Sequence, residues 1–288
     1  MQWRSLLFIP VLEQRFVAKA AERGADAVVL DLEASILPDR KAEARAALAK
    51  AVDHLSGRVD VTVRINAFGL QAVRDLEAAV IAGVSSLHLA LCRSADEVRA
   101  IDRIVTDLES ERGLPEGRIG LVPMLETPEA VLVARQIAKA ARRVRALTLG
   151  VEDYATAMGV DATPEVLRPA AVQVIQAAKS VGRDALVVPH SMADYADLDA
   201  LDEAARYARA IGSTCGYAVH PTQIAVLNQV FGATAEEIER SRKIVAAAEA
   251  AERAGDGIVK VDGRMIDAPL VARARKVIAR TAGENDRS

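Results

Sequence analysis

Eight short apolar runs, each followed by a stretch of helical periodicity, succeed one another along this chain, and that alternation restricts its fold more than any other feature. The runs fall at residues 5–10, 27–33, 60–66, 85–92, 118–126, 146–153, 185–190 and 215–221. Several are apolar without a break, as strands covered on both faces require. Between them lie amphipathic segments such as 40–55, 70–82, 95–108 and 198–211. Gly24, Gly83 and Gly182 follow helices and stand just before strands, where a left-handed residue closes a helix. Strict alternation makes a parallel sheet, and a count of eight favours a closed (β/α)8 TIM barrel over an open doubly wound sheet. The rival's usual signature, a glycine fingerprint of the Rossmann or P-loop kind, does not occur.

Composition agrees. The chain is 51% hydrophobic but only 3% aromatic, so Ala, Val, Leu and Ile fill the core, which suits buried parallel strands and close-packed helices. Residues 1–232 are assigned to the barrel and 233–288 to a C-terminal helical extension, a lid packing on the barrel or on a neighbouring subunit. In the extension a helix over 234–254 is capped by Thr234 with Glu237 three residues on. The stretch 255–269 contains Gly255, Gly257, Gly263 and Pro269 and cannot be helical throughout; a last helix spans 270–282, and the charged tail 283–288 frays.

Several function classes fall away. A formal charge of −3 gives no electrostatic grip on nucleic acid. The densest basic cluster, Arg142, Arg143 and Arg145, reads as the basic end of a helix. Cys92 and Cys215 make neither a disulfide framework nor a metal site. No stretch reaches the roughly 18 apolar residues of a membrane span. The start of the chain has no cleavable apolar segment, since Arg4, Glu13 and Arg15 bracket its short run, so a cytoplasmic protein is expected.

In barrels the chemistry gathers where strands hand over to loops at the carboxyl face. Polar residues at the ends of the runs are Asp31 and Glu33, Arg64 and Asn66, Glu126 and Thr127, Glu152 and Asp153, His190, and His220. Acidic ends converging on one mouth repel unless a cation joins them, and two carboxylates completed by water and substrate oxygens make a hard-ion site. Glu126 and Asp153, on adjacent strands, are the natural pair; alternatively each caps the helix that follows it. Arg64 offers a planar fork to a carboxylate, or pairs structurally with Asp31 or Glu33. His54 and His88 are read as structural, and no histidine has a partner at zinc-ligand spacing.

Seven strings in order carry a resemblance. They are RSLLFIP at 4–10, LDLE at 30–33, VRIN at 63–66, LETP at 125–128, GVED at 150–153, VHPTQ at 219–223 and DGRMIDAP at 262–269. The chain resembles the citrate lyase β-subunit-like branch of the HpcH/HpaI aldolase family over nearly its whole length. The resemblance implies a carbon–carbon lyase acting on coenzyme A thioesters of malyl-CoA or citramalyl-CoA type, with Mg2+, or Mn2+ in its place. It makes Glu126 and Asp153 the metal ligands, with Glu126 also touching substrate, and gives Arg64 the 2-oxo acid end. Asp267 becomes the acid–base catalyst on the lid. Asp31, Glu33 and His220 stand behind these groups, and a homotrimer or hexamer is implied. Two departures matter: Ala34 follows Glu33 where the family has a second acid, and Leu89-Ala90-Leu91 stands where it often has Leu-Pro-Lys. They keep two further readings open, a thioesterase on the same scaffold and a metabolite-binding subunit whose mouth has drifted.

Overall fold

The computed structural model describes residues 3–254 and 259–285. Its eight parallel strands are β1 (Ser5–Pro10), β2 (Ala27–Asp31), β3 (Asp60–Ile65), β4 (Val84–Leu89), β5 (Gly120–Leu125), β6 (Ala146–Leu149), β7 (Asp184–Ala185) and β8 (Gly216–Ala218). They run side by side in chain order from β1 to β7, and β8 pairs with β1. At the seam between β7 and β8 the Thr214 amide donates to the Ala185 carbonyl at 2.9 Å. The Ser213 hydroxyl completes it, accepting from the Val187 amide and donating to the Ala185 carbonyl, each at 3.0 Å. The result is a TIM-barrel α/β fold.

Side chains alternate across each strand, so every second residue enters the barrel and the others meet the helices. Leu6, Val29, Val122, Ala146, Leu186 and Cys215 pack together inside. Leu7, Val28, Leu30, Val63, Leu87 and Leu121 join the larger cluster with the helices. Register therefore places Pro10 beside Asp31, Asp31 beside Arg64, and Arg64 beside His88 as one inward layer.

The run 5–10 coincides with β1, whereas the other runs extend past the ends of their strands. The largest correction concerns 146–153: β6 stops at Leu149, and Glu152 and Asp153 stand in the first turn of the helix Val151–Met158. Acidic residues there complement the helix dipole, which explains the turn. Of the run 185–190 only Ala185 belongs to a strand, β7. Gly24, Gly83 and Gly182 do adopt positive φ. Arg143 corrects the helix-end reading of its cluster: it lies past the helix Ala134–Ala138 and is buried, paired with Asp102 and with Glu109 at 3.0 Å.

By contact density the chain divides after Phe231. In the second unit the helix Ala235–Ala254 begins with the expected box: the Glu237 amide donates to the Thr234 hydroxyl at 3.1 Å, and the Thr234 amide to the Glu237 carboxylate at 3.0 Å. A hairpin of β9 (Val259–Val261) and β10 (Arg264–Ile266) turns at Asp262 and Gly263. The last helix, Ala268–Asn285, is longer at both ends than 270–282; residues 255–258 and 286–288 lie outside the described residues. Ile244, Ile266 and Ala274 form a small apolar cluster of this unit's own.

Candidate active site

A cavity of about 470 Å3 opens at the carboxyl ends of the strands, lined among others by Asp31, Arg64, Glu126, Glu152 and Asp153. Arg64 is placed by strand parity and then fixed by Asp31. Its Nε and Nη2 donate to the two oxygens of that carboxylate at 2.7 and 2.8 Å, a bidentate fork. Nη1 lies 3.3 Å from Glu33 Oε2, and the guanidinium carbon sits 4.7 Å above the Phe8 ring centre. Burial pushes the Asp31 carboxyl up, but the Arg64 fork and the Ser35 and Glu33 hydrogen bonds outweigh it and hold it below the usual carboxylate range. The structural pairing weighed for Arg64 is thus present, and it orients the guanidinium at the mouth.

Glu126 follows β5 with inward parity and is 3% exposed. Its Oε2 accepts the Leu91 amide at 3.1 Å. Leu91 has φ +49°, a left-handed conformation uncommon for such a residue, and this turn aims its N–H at the carboxylate. Across the site stands Gly150, where an added Cβ would lie 2.4 Å from Glu126 Cγ. Only glycine leaves room for the glutamate. Burial, then the charges of Asp153 and Glu33, push the Glu126 carboxyl up to about 8, with Arg64 opposing. Glu33 is also raised, by burial first and by Asp31, again against Arg64.

These groups fit a divalent cation. Asp31, Glu33, Glu126 and Asp153 carry four formal negative charges, while Arg64 and Lys41, whose Nζ is bonded to the Leu32 and Glu33 carbonyls at 2.8 and 2.6 Å, carry two positive ones. Among the described residues no three His, Cys, Asp or Glu side chains form a self-sufficient metal cluster. Glu126 and Asp153 would need water and substrate oxygens to complete a shell, as hard ions accept.

Three other residues singled out by sequence are held by local bonds. Glu152 is spent on structure, accepting the Ser191 hydroxyl at 2.7 Å and the Met192 amide at 2.6 Å. His220 is exposed and turned onto the Thr222 hydroxyl at 2.8 Å. Asp267 belongs to the second unit, where its Oδ1 accepts the Leu270 amide at 3.1 Å and caps the last helix.

Sequence reasoning missed a buried hydrogen-bonded chain that ends at Tyr217 in the cavity wall. The Thr62 hydroxyl donates to the Val28 carbonyl at 2.9 Å, so it accepts from His88 Nε2 at 3.1 Å, and His88 Nδ1 is left to accept from the Tyr217 hydroxyl at 3.1 Å. Burial, and then Arg64, push His88 down to about 3, so it stays neutral. The Tyr217 ring stacks on Phe8 at 5.2 Å, and Phe8 in turn supports Arg64. Parity would have found these residues, since Phe8, His88 and Tyr217 share the inward phase of their strands.

A model of a family described as HpcH/HpaI aldolase/citrate lyase matches residues 4–221. The chain is 34% identical over 281 residues to the citrate lyase subunit beta of Escherichia coli, covering 96% of this chain and 92% of that one. It is 29% identical to an L-malyl-CoA/beta-methylmalyl-CoA lyase of Cereibacter sphaeroides, covering 96% and 93%. Among solved structures, the CitE protein of Mycobacterium tuberculosis in complex with magnesium, acetoacetate and coenzyme A superposes with a TM-score of 0.72 at 28% identity, over 96% of this chain and 97% of that one.

Proposed function

Because this chain belongs to the HpcH/HpaI aldolase/citrate lyase family, we propose that it is a Mg2+-dependent carbon–carbon lyase that splits a β-hydroxyacyl-CoA of malyl-CoA or citramalyl-CoA type into an acyl-CoA and a 2-oxo acid. The observation that carries the reading is the buried Glu126, held beside Asp153 in a cavity that also presents the Arg64 guanidinium.

Glu126 and Asp153 are the metal ligands in this reading; magnesium there supplies positive charge beside the substrate's hydroxyl and carboxylate oxygens. Arg64 adds a fixed charge toward the oxo-acid end. Because Asp31 already holds its fork, that charge needs no reorganisation as the carbonyl forms. As the carbon–carbon bond breaks, the hydroxyl gives up its proton to become the oxo acid's carbonyl, and the bond's electron pair passes to the thioester enolate, whose carbon takes up a proton, so none is gained or lost overall. Asp267 is the donor in this reading and the acceptor in the reverse direction.

The test is incubation with malyl-CoA and citramalyl-CoA plus Mg2+, trapping glyoxylate or pyruvate as a hydrazone. Oxo acid should appear together with acetyl-CoA. Free thiol without a shortened acyl-CoA would instead identify a thioesterase, and no product from either compound would defeat the lyase reading. Asp267→Asn should preserve the helix cap while lowering turnover. Asp267→Ala should also lose about 1 kcal/mol of cap stability. Equal turnover in Asp267→Asn and the parent would remove Asp267 from the chemistry.

A further inference from the structure

Lys41 is the first residue of the helix Lys41–Leu55, directly after the helical turn Pro38–Arg40. The positive end of a helix is the wrong place for a cation, so something else must hold this one. It lies outside the lining of the cavity, and burial pushes its ammonium below the usual lysine range against the pull of Glu33, Asp31 and Asp75. Its Nζ donates to two successive carbonyls of the loop after β2, that of Leu32 at 2.8 Å and that of Glu33 at 2.6 Å. Asn66 gives the Leu32 carbonyl a second donor at 3.0 Å and is itself anchored on the buried Asp75 at 2.6 Å.

A peptide group is one rigid plane, so fixing its oxygen also fixes its N–H. The plane that carries the Leu32 carbonyl carries the Glu33 amide, which donates to Asp31 Oδ1 at 2.9 Å. The plane that carries the Glu33 carbonyl carries the Ala34 amide, which donates to the Glu33 carboxylate. Those two carboxylates are the ones that face Arg64, through the bidentate fork of Asp31 and the 3.3 Å approach of Glu33. Lys41 thus grips the oxygen end of both peptide groups whose N–H ends steady the partners of Arg64, and its charge strengthens each hydrogen bond along the way. Resting on the lyase reading above, we infer that Lys41 is a positioning residue for that reaction. It acts through the Leu32–Glu33 and Glu33–Ala34 peptide groups to hold the Arg64 guanidinium toward the oxo-acid end.

The proton on Arg64 Nε reports on this directly, and Arg64→Lys assigns its resonance. In Mg2+-loaded protein at fixed pH, Lys41→Met, which keeps an unbranched stem, should speed solvent exchange of that proton about tenfold or more. Lys41→Arg, which keeps the charge and the donors, should restore most of the protection. Trp3 is the internal control: its Nε1–H donates to Asp60 at 2.7 Å, at the amino ends of the strands, and its exchange should not change. In Lys41→Met, pyruvate affinity should fall about tenfold, since a positioned charge has lost its place. Mg2+ affinity should hold or rise, because Glu126 and Asp153 stand on other elements and feel one positive charge fewer. Unchanged exchange at Arg64, or equal acceleration at Arg64 and Trp3, would overturn the inference. So would an unchanged pyruvate affinity, or its loss in parallel with that for Mg2+. Turnover of malyl-CoA and citramalyl-CoA by the parent reports on the lyase reading alone. Its absence, with Arg64 exchange still governed by Lys41, defeats that reading and leaves the positioning standing.

Discussion

At the scale of single residues, Glu126 is the group under most tension. Its carboxyl is raised from 4.5 to about 8, first by burial and then by Asp153 and Glu33, against the pull of Arg64. A folded-state value above the unfolded one means that the native state holds a proton the unfolded chain has released. Metal-free protein should therefore lose stability as pH rises from about 4.5 to about 8, and Glu126→Gln should flatten that slope in urea titrations. The same variant should lose Mg2+-dependent activity by more than about a hundredfold, since even groups that merely support metal ligands are worth up to that much. Gly150 is the complementary case. Gly150→Ala puts a methyl group into Glu126, so turnover should collapse while stability falls by about 1–3 kcal/mol, the usual cost of overpacking. Asp31, Arg64 and Glu126, which line the cavity, were legible because they are polar residues at the ends of apolar runs. Gly150 was not: its role is a distance to another strand's side chain, which no local pattern encodes. Leu91 reads as a departure from a family string, yet its contribution comes from the backbone N–H.

Among the elements, the helix Ala95–Glu111 is tied to the β5 and β6 approaches by a buried ion network. Arg143 reaches Asp102, Glu109, the Thr106 hydroxyl at 2.7 Å and the Ile119 carbonyl at 3.0 Å. Glu109, itself fully buried, also accepts the Gly117 and Ile119 amides at 2.8 Å. Removing the arginine alone strands that carboxylate, so Arg143→Met should cost about 3–5 kcal/mol, read as a lower urea midpoint with unchanged kinetics in the surviving folded fraction. Sequence placed all eight barrel strands and the helices 40–55, 70–82, 95–108 and 198–211, but overran the ends of every strand after β1. Apolarity continues past the last ladder bond into the turns that build the site, so hydropathy alone cannot see where pairing stops. Glu152 and Asp153 show the cost of that blindness: read as the end of a strand, they form the first turn of a helix, one bracing the loop after β7 and the other facing the cavity.

For the molecule as a whole, the eightfold rhythm of runs and helices was enough to give a closed barrel, because few architectures bury parallel strands on both faces. The roles of the second unit were less accessible, since a capping aspartate and a catalytic one have the same letters around them. Cation binding should be visible globally. If Glu126 and Asp153 take Mg2+ only when folded, an ion concentration a hundredfold above its dissociation constant should stabilise the protein by about 2.7 kcal/mol, raising its melting temperature in a calorimetric scan. Glu126→Gln should erase the increment. The barrel wall itself is uneven. β7 contributes just Asp184–Ala185, and its join to β8 rests on the bonds of Ser213, Thr214 and Val187. So few ladder bonds mark the place where amide protons should exchange earliest and a protease should first find slack chain. That slack stave continues through residues 186–191 to Met192 in the cavity lining, so breathing of the wall would reach the mouth of the site.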